Sequence, residues 1–343
     1  MSYKILDNWN HLLDLFSPDH KDVYFKENYL KLYESGSEKA YCFYYNDDDF
    51  HFLLPYLLRE FQYENQTYFD LETVYGYGGP IFNYYDDILI TKAWKSFLEY
   101  GSQNNYIAGF LRFHPLFDNH KCFSSIGNLL KDRQTVALNL QISEQEIWMQ
   151  EIHTKNRNTI KKGEKNGLQF VADYEYTHLD DFISLYNNTM IKLEANEFYY
   201  FNDNYFKKFK NQINDSFLGL IKLNYEVIAA AIFFFSDFYG HYHLSGSNEN
   251  HLKLSPNNFL LWEAAKELKK RGVRYFHLGG GTNSDENNSL LQFKSRFSKN
   301  KYDFYIGKII FNKPIYQSLC DKWVELNREK GSIYINYHLK YKY

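Results

Sequence analysis

The sequence predicts an α/β protein made of two similar units of mixed sheet and helix, on three observations. Apolar alternation recurs in short runs bounded by turn residues, amphipathic helical segments lie between those runs, and the order of elements repeats in the two halves of the chain. A length of 343 residues is enough for two domains of ordinary size, each with its own core. Hydrophobic residues at 44% and charged residues at 24% make a globular composition and exclude a disordered one. The 33 Tyr and 30 Phe favour strands and rigid binding walls, although abundant Asn and Lys with scarce Ala give the bias a compositional origin as well.

The elements follow in order. Residues 23–34 carry apolar and aromatic residues at helical spacing, and Ala40 to Tyr45 with Phe50 to Leu58 form a strand pair around the acidic tip Asn46-Asp47-Asp48-Asp49. That tip is too short for a calcium loop and reads as a solvated hairpin turn. Tyr75-Gly76-Tyr77-Gly78-Gly79-Pro80 then precedes a helix from about Asp86 to Tyr100, with Gly101 as its stop. Its glycines allow a ligand to approach the backbone, or simply make a tight turn. A strand from Tyr106 to Phe113 delivers Arg112-Phe113-His114-Pro115, and Thr135 to Leu140 alternates as another strand.

In the second half Ser143 and Glu146 form a capping box, so a helix starts there and runs to the Gly163 and Gly167 breaks. Arg157, Lys161 and Lys165 recur along it as one basic stripe, which can hold phosphates or be a solvated face. Leu168 to Ala172 is a strand, and Leu179 to Lys192 and Asn204 to Ile213 are helices. Phe217 to Leu223, Val227 to Phe235 and Gly240 to Ser245 are successive strands. In the last, alternation places Tyr239, His241, His243 and Ser245 on one face, read as a polar cleft wall, opposite Tyr242 and Leu244. Pro256 opens a helix that Gly272 ends, and Val273 to Leu278 feeds Gly279-Gly280-Gly281. Beyond the turn, a helix places Lys294 on one arc with Leu290, Leu291, Phe293 and Phe297. Such a lysine snorkels to water, pairs, or does chemistry where negative charge develops. Asp303 to Phe311 is a strand and Pro314 to Lys330 a final helix.

In each half, a hairpin leads to a glycine or proline punctuated loop, a helix ending in glycine, and a strand delivering a polar motif. Two mixed units packed side by side follow from that order, with a ligand cleft between them or at splayed strand ends.

The 39 basic and 42 acidic residues leave a net charge of -3, so a polyanion would have to be met by a local patch. Cys42, Cys122 and Cys320 are far apart without ligand spacing, which argues for packing roles in a reducing compartment and against a structural metal. The first residues lack the pattern of a signal peptide, and no run is long and apolar enough for a membrane span, so a cytoplasmic protein is expected.

The ordered set of motifs resembles the FemAB-like peptidyltransferases, which carry two GNAT-type, BioF2-like acetyltransferase domains. It comprises Tyr75 to Pro80, Arg112 to Pro115, Arg157 to Lys162 with Gly167, Leu244 to Asn248, Ser255 to Asn258, His277 to Gly281, and Phe293-Lys294. The resemblance implies tandem GNAT-like domains at 1–142 and 143–312, the second catalytic, with the segment 313–343 returning to the first. It implies an amide-forming transferase that moves an aminoacyl or acyl group from charged tRNA or acyl-CoA to an amine of a cell-wall precursor or surface glycan. The protein would then work in the cytoplasm or at the inner membrane face. The coiled-coil arm of some members has no counterpart here.

On this reading Lys294, matching the lysine of the family's Phe-Lys motif, stabilises the oxyanion or the departing oxygen. Arg157 and Lys161 hold phosphates, and Tyr75, Tyr77, His241 and His243 line the cleft. Arg112, His114, Ser245, Asn257 and Gly280 are the remaining candidate binding residues. The loop His251 to Asn258 lacks the glycines of the wider fold's pyrophosphate site, so the donor is open between charged tRNA and acyl-CoA. Two further readings are a CoA-dependent N-acyltransferase acting on a nucleotide sugar or small metabolite, and a non-catalytic glycan or peptide binder.

Overall fold

A computed structural model describes residues 2–328 and 334–343 of the chain, which divides into two units, Met1–Asp132 with Phe304–Tyr343, and Arg133–Asp303. In chain order the first stretch supplies β1 (Ser2–Leu6), α1 (Glu27–Lys31), β2 (Glu38–Asp47), β3 (Phe50–Tyr63), β4 (Gln66–Glu72), β5 (Ile81–Phe82), α2 (Asp87–Gln103) and β6 (Tyr106–Arg112). The middle supplies β7 (Asn128–Asn139), the single turn α3 (Glu144–Glu146), α4 (Thr154–Lys165), β8 (Leu168–Asp173), α5 (Leu179–Lys192) and α6 (Asp203–Gln212). It continues with β9 (Ser216–Leu223), β10 (Glu226–Phe235), β11 (Tyr239–Ser247), α7 (Pro256–Lys270), β12 (Tyr275–Gly280) and α8 (Ser289–Ser295). Last come β13 (Lys301–Ile310) and α9 (Lys313–Leu326). The divisions between these compact units fall inside β7 and β13.

The sheet of the first unit runs β1-β2-β3-β4-β6-β13, and that of the second runs β8-β9-β10-β11-β12-β7. Each contains one parallel pair, β4 with β6 and β11 with β12, joined by a crossover helix, α2 and α7 respectively. A parallel pair cannot be closed by a hairpin, so a helix must carry the chain back across the sheet. The antiparallel neighbours β13 and β7 complete the two sheets. The repeated order of elements in the sequence is thus a repeated topology.

Several local expectations are corrected. Gly101 does not end α2; it lies within the helix, where a Cβ would sit 2.5 Å from the Phe311 ring, and Asn104 caps the helix instead. The capping box of Ser143 and Glu146 forms, but its helix breaks in a π-helical turn, Ile147–Glu151, and restarts at Thr154 with His153 accepting from Lys155 N. The helical spacing of 23–34 yields only a 3₁₀ turn and α1. Positions 329 and 330 of the expected final helix lie outside the described residues.

In the second unit α4 and α7 bury one face of the sheet, with Ile160, Phe259, Leu260, Trp262 and Ala264 set against Phe217, Phe233 and Phe276. In the first unit the segment after β13 is tied down by polar contacts. Tyr63 Oη lies 2.6 Å from Ser318 Oγ, His338 Nε2 is 2.9 Å from the Ile309 carbonyl, and Lys342 bridges Glu38 (2.7 Å) and Glu72. The cysteines are free thiols, with Cys42 and Cys320 buried. Among the described residues no helix is long and apolar enough to cross a membrane.

Candidate active site

The parallel pair β11 and β12 sets the geometry. Its register joins Tyr239 to Tyr275 and His241 to His277, after which β12 runs on beside β7 into the glycine turn. A register shift between His277 and Gly279 marks a bulge there, and Gly279 takes φ 77°. Gly280 has no room for a side chain: a Cβ would lie 2.7 Å from the Gln134 carbonyl. Asn288 then caps α8 through Leu290 N and Leu291 N, and its amide donates to Thr282 Oγ1 (2.7 Å), which ties the loop to the helix.

This arrangement delivers Lys294 to the turn. Its side chain is 7% exposed, and Nζ donates to the Gly280 carbonyl at 2.8 Å. The ammonium also lies 5.8 Å from the centre of the Tyr242 ring. Burial, followed by the charge of Arg133, pulls its pKa from 10.5 to about 7. The snorkelling alternative is thereby removed. A lysine held there can give up and regain a proton near neutral pH.

Tyr242 itself stacks on Phe233 with ring centres 5.8 Å apart. Its hydroxyl donates to Ser245 Oγ at 2.6 Å. Strict alternation would put Ser245 with His241 and His243. A bulge opposite Ile232 and Phe233 takes up His243 as the extra residue and turns Ser245 to the side of Tyr242. His241 stays opposite Phe234 in register, with its ring 5.4 Å from that of His277. His243 packs against Phe234 at 4.4 Å and Phe209 at 6.3 Å, and burial with the nearby His241 lowers its pKa to about 3. The two histidines thus lie across the sheet from the Lys294 and Tyr242 side.

The basic stripe is also divided. The Arg157 guanidinium closes the π-helical turn, with Nη1 donating to the carbonyls of Trp148 (3.1 Å), Met149 (3.1 Å) and Ile152 (2.7 Å), and Nη2 to Thr154 Oγ1. Lys161 is exposed, with its ammonium 5.9 Å from the Trp148 ring centre. Asn257 sits in the first turn of α7. Its Nδ2 donates to Ser247 Oγ at 3.3 Å, and its buried Oδ1 has no partner among the described residues. Ser255, at φ 54°, gives α7 no side-chain cap.

The other candidates belong to the first unit. The space beside Gly76, at φ 98°, is taken by the chain's own Tyr24 ring, 2.3 Å from where a Cβ would lie. The Tyr75 carbonyl accepts from Tyr29 Oη at 2.8 Å, and Tyr77 makes edge contacts with Tyr24, His114 and Phe304. Arg112 donates to the Thr73 carbonyl at 2.6 Å and lies 3.8 Å from Glu72. His114 is fully buried; its Nδ1 accepts from Leu116 N, which puts the imidazole proton on Nε2, 3.0 Å from Asp22.

Sequence reasoning missed Arg133 and Asn288. Asn288 carried a readable signal, an asparagine just before an apolar helical run. Arg133 carried none.

A sheet with one parallel pair around a crossover helix, ending in a glycine turn that meets a buried lysine, has the topology of the GNAT acyltransferase fold. Residues 153–295 match the family model described as Acetyltransferase (GNAT) domain. Among solved structures, the chain is similar to FemX at a TM-score of 0.70 and 14% identity, covering 92% of this chain and 99% of that one. It is also similar to the C-terminal domain of a protein assigned as a lysylphosphatidylglycerol synthetase from Agrobacterium fabrum, at a TM-score of 0.54 and 14% identity over 91% and 93% of the two chains. A tandem GNAT protein from the clavulanic acid biosynthesis pathway matches at a TM-score of 0.52 and 8% identity, covering 90% and 98%. No curated protein sequence matches. The chain thus has a tandem GNAT fold, as the motif order implied.

Proposed function

We propose that the protein is an amide-forming acyl or aminoacyl transferase whose acceptor is an amine of a cell-wall precursor or surface glycan. The observation that carries this reading is the buried Lys294 ammonium at the Gly280 carbonyl, inside a GNAT domain and at the lysine of the Phe-Lys motif. In the reaction the acceptor amine, after losing a proton, attacks the activated carbonyl, the new C–N bond forms and the C–O or C–S bond to the donor breaks. Lys294 donates to the oxyanion or to the departing atom, a contact worth most in a site that excludes water. Tyr242, held by Ser245, forms a wall beside it. Lys161 and, a turn further on, Lys165 are exposed cations of the basic stripe available to a phosphate.

A second reading, a CoA-dependent N-acyltransferase, is favoured by the acetyltransferase family match and by the first turn of α7, whose backbone N–H groups lack a side-chain cap. Transfer assays with charged tRNA and with acyl-CoA, run side by side on amine acceptors, separate the two. Folded Lys294→Met with full turnover on the active donor would remove the proposed role of the lysine.

A further inference from the structure

The turn is held by a second cation. Arg133 lies on β7 just before the paired segment in which Thr135 faces Gly280, and Nη1 donates to the Gly281 carbonyl at 2.9 Å. The stem of the arginine covers the place a side chain at 280 would occupy: a Cβ there would be 3.2 Å from Arg133 Cδ and 3.4 Å from its Cγ. Consecutive carbonyls of the glycine turn therefore accept from two different cations, Gly280 from Lys294 and Gly281 from Arg133. An arginine fork fixes direction better than a flexible ammonium does, so Arg133 is the more rigid of the two holds on the turn.

We infer that Arg133 is a positioning residue of this site, which fixes the turn carbonyl next to the one that Lys294 addresses and sets how readily the lysine carries a proton. The inference rests on the role given to Lys294 above. Around that lysine, β11 contributes Tyr242, β12 contributes the Gly280 carbonyl, and β7 contributes Arg133. The acidic groups of the loop before α8, Asp285 and Glu286, are exposed, and Arg296, at the C-terminal cap of α8, is exposed as well. Arg133 is thus the neighbouring charge that opposes protonation of Lys294, in addition to burial.

Arg133→Met keeps a stem over Gly280 and removes the charge, whereas Arg133→Lys keeps the charge and loses the fork. Full-length protein carrying ¹³Cε-lysine is titrated by NMR, with the Lys294 signal assigned by its loss in Lys294→Met. The expected result is a Lys294 pKa raised by about one unit in Arg133→Met and little changed in Arg133→Lys. On the donor that supports turnover, the pH profile of kcat moves by the same amount. A Lys294 titration in folded Arg133→Met that coincides with that of the unaltered protein overturns the inference; should Arg133→Met not fold, Arg133→Gln is read by the same criterion. The titration does not depend on turnover, so it stands even if Lys294→Met proves fully active and the catalytic reading fails.

Discussion

Replacing Lys294 with methionine should change the stability of the protein in opposite directions at low and high pH. The lysine's pKa falls from 10.5 to about 7 on folding, which corresponds to about 5 kcal/mol of free energy opposing the folded state. The sign follows from proton linkage. Below pH 7 the group is charged in both states and the whole cost is present; as pH rises toward 10.5 the unfolded chain holds more protons than the folded one, so stability climbs and the cost disappears. Methionine fills similar space without the charge, but it leaves the Gly280 carbonyl without its donor, a loss of about 1–3 kcal/mol. At pH 6 the substitution should therefore stabilise the protein by about 2–4 kcal/mol, and at pH 10, where little of the charge cost is left, it should destabilise it by about 0–2 kcal/mol. The curves should cross at roughly pH 9. Urea unfolding of both proteins from pH 6 to pH 10 measures this, with transfer assays on the same samples. A stability difference that stays constant across that range would refute the account of a buried, readily discharged lysine.

Two other substitutions probe the surroundings. Arg157→Ala removes the donor to three carbonyls of the π-helical turn and should destabilise the second unit by about 2–4 kcal/mol in urea melts. A raised KM for a phosphate-bearing substrate with unchanged stability would instead assign it to the ligand. For His243, a folded pKa near 3 against 6.5 means the unfolded state takes the proton first on acidification, so stability falls as pH drops through that window. His243→Phe should flatten the decline between pH 6 and pH 4 by up to about 1.4 kcal/mol per pH unit, and equal slopes would count against burial as the cause.

The elements with unambiguous period and clear punctuation were legible in the sequence. The β2–β3 hairpin, α5, α7 with its leading proline, and the glycine turn ahead of Lys294 stand where the pattern put them. Short or polar strands such as β1 and β4 left too little alternation to be read. Gly101 looked like a helix stop because a glycine needed for close approach and one needed for a cap are the same letter. The bulge at His243 could not be read, because one extra residue shifts every later side chain to the other face while leaving the alternating pattern intact. Lys294 was legible as an odd charge on an apolar arc. Arg133 was not, since its importance comes from register with a strand nearly 150 positions later, and no local window contains both.

The way β13 completes the first sheet has a consequence for synthesis. During translation the segment from β1 to β6 emerges long before β13, with the whole of the second unit made in between. Until then β6, an apolar strand whose residues Ala108 to Arg112 later pair with β13, carries a bare edge. Such an edge is a template for pairing with other chains. Nascent or truncated forms ending before residue 304 should therefore be the aggregation-prone ones, and the last forty residues act as the closing stitch of the domain that was begun first.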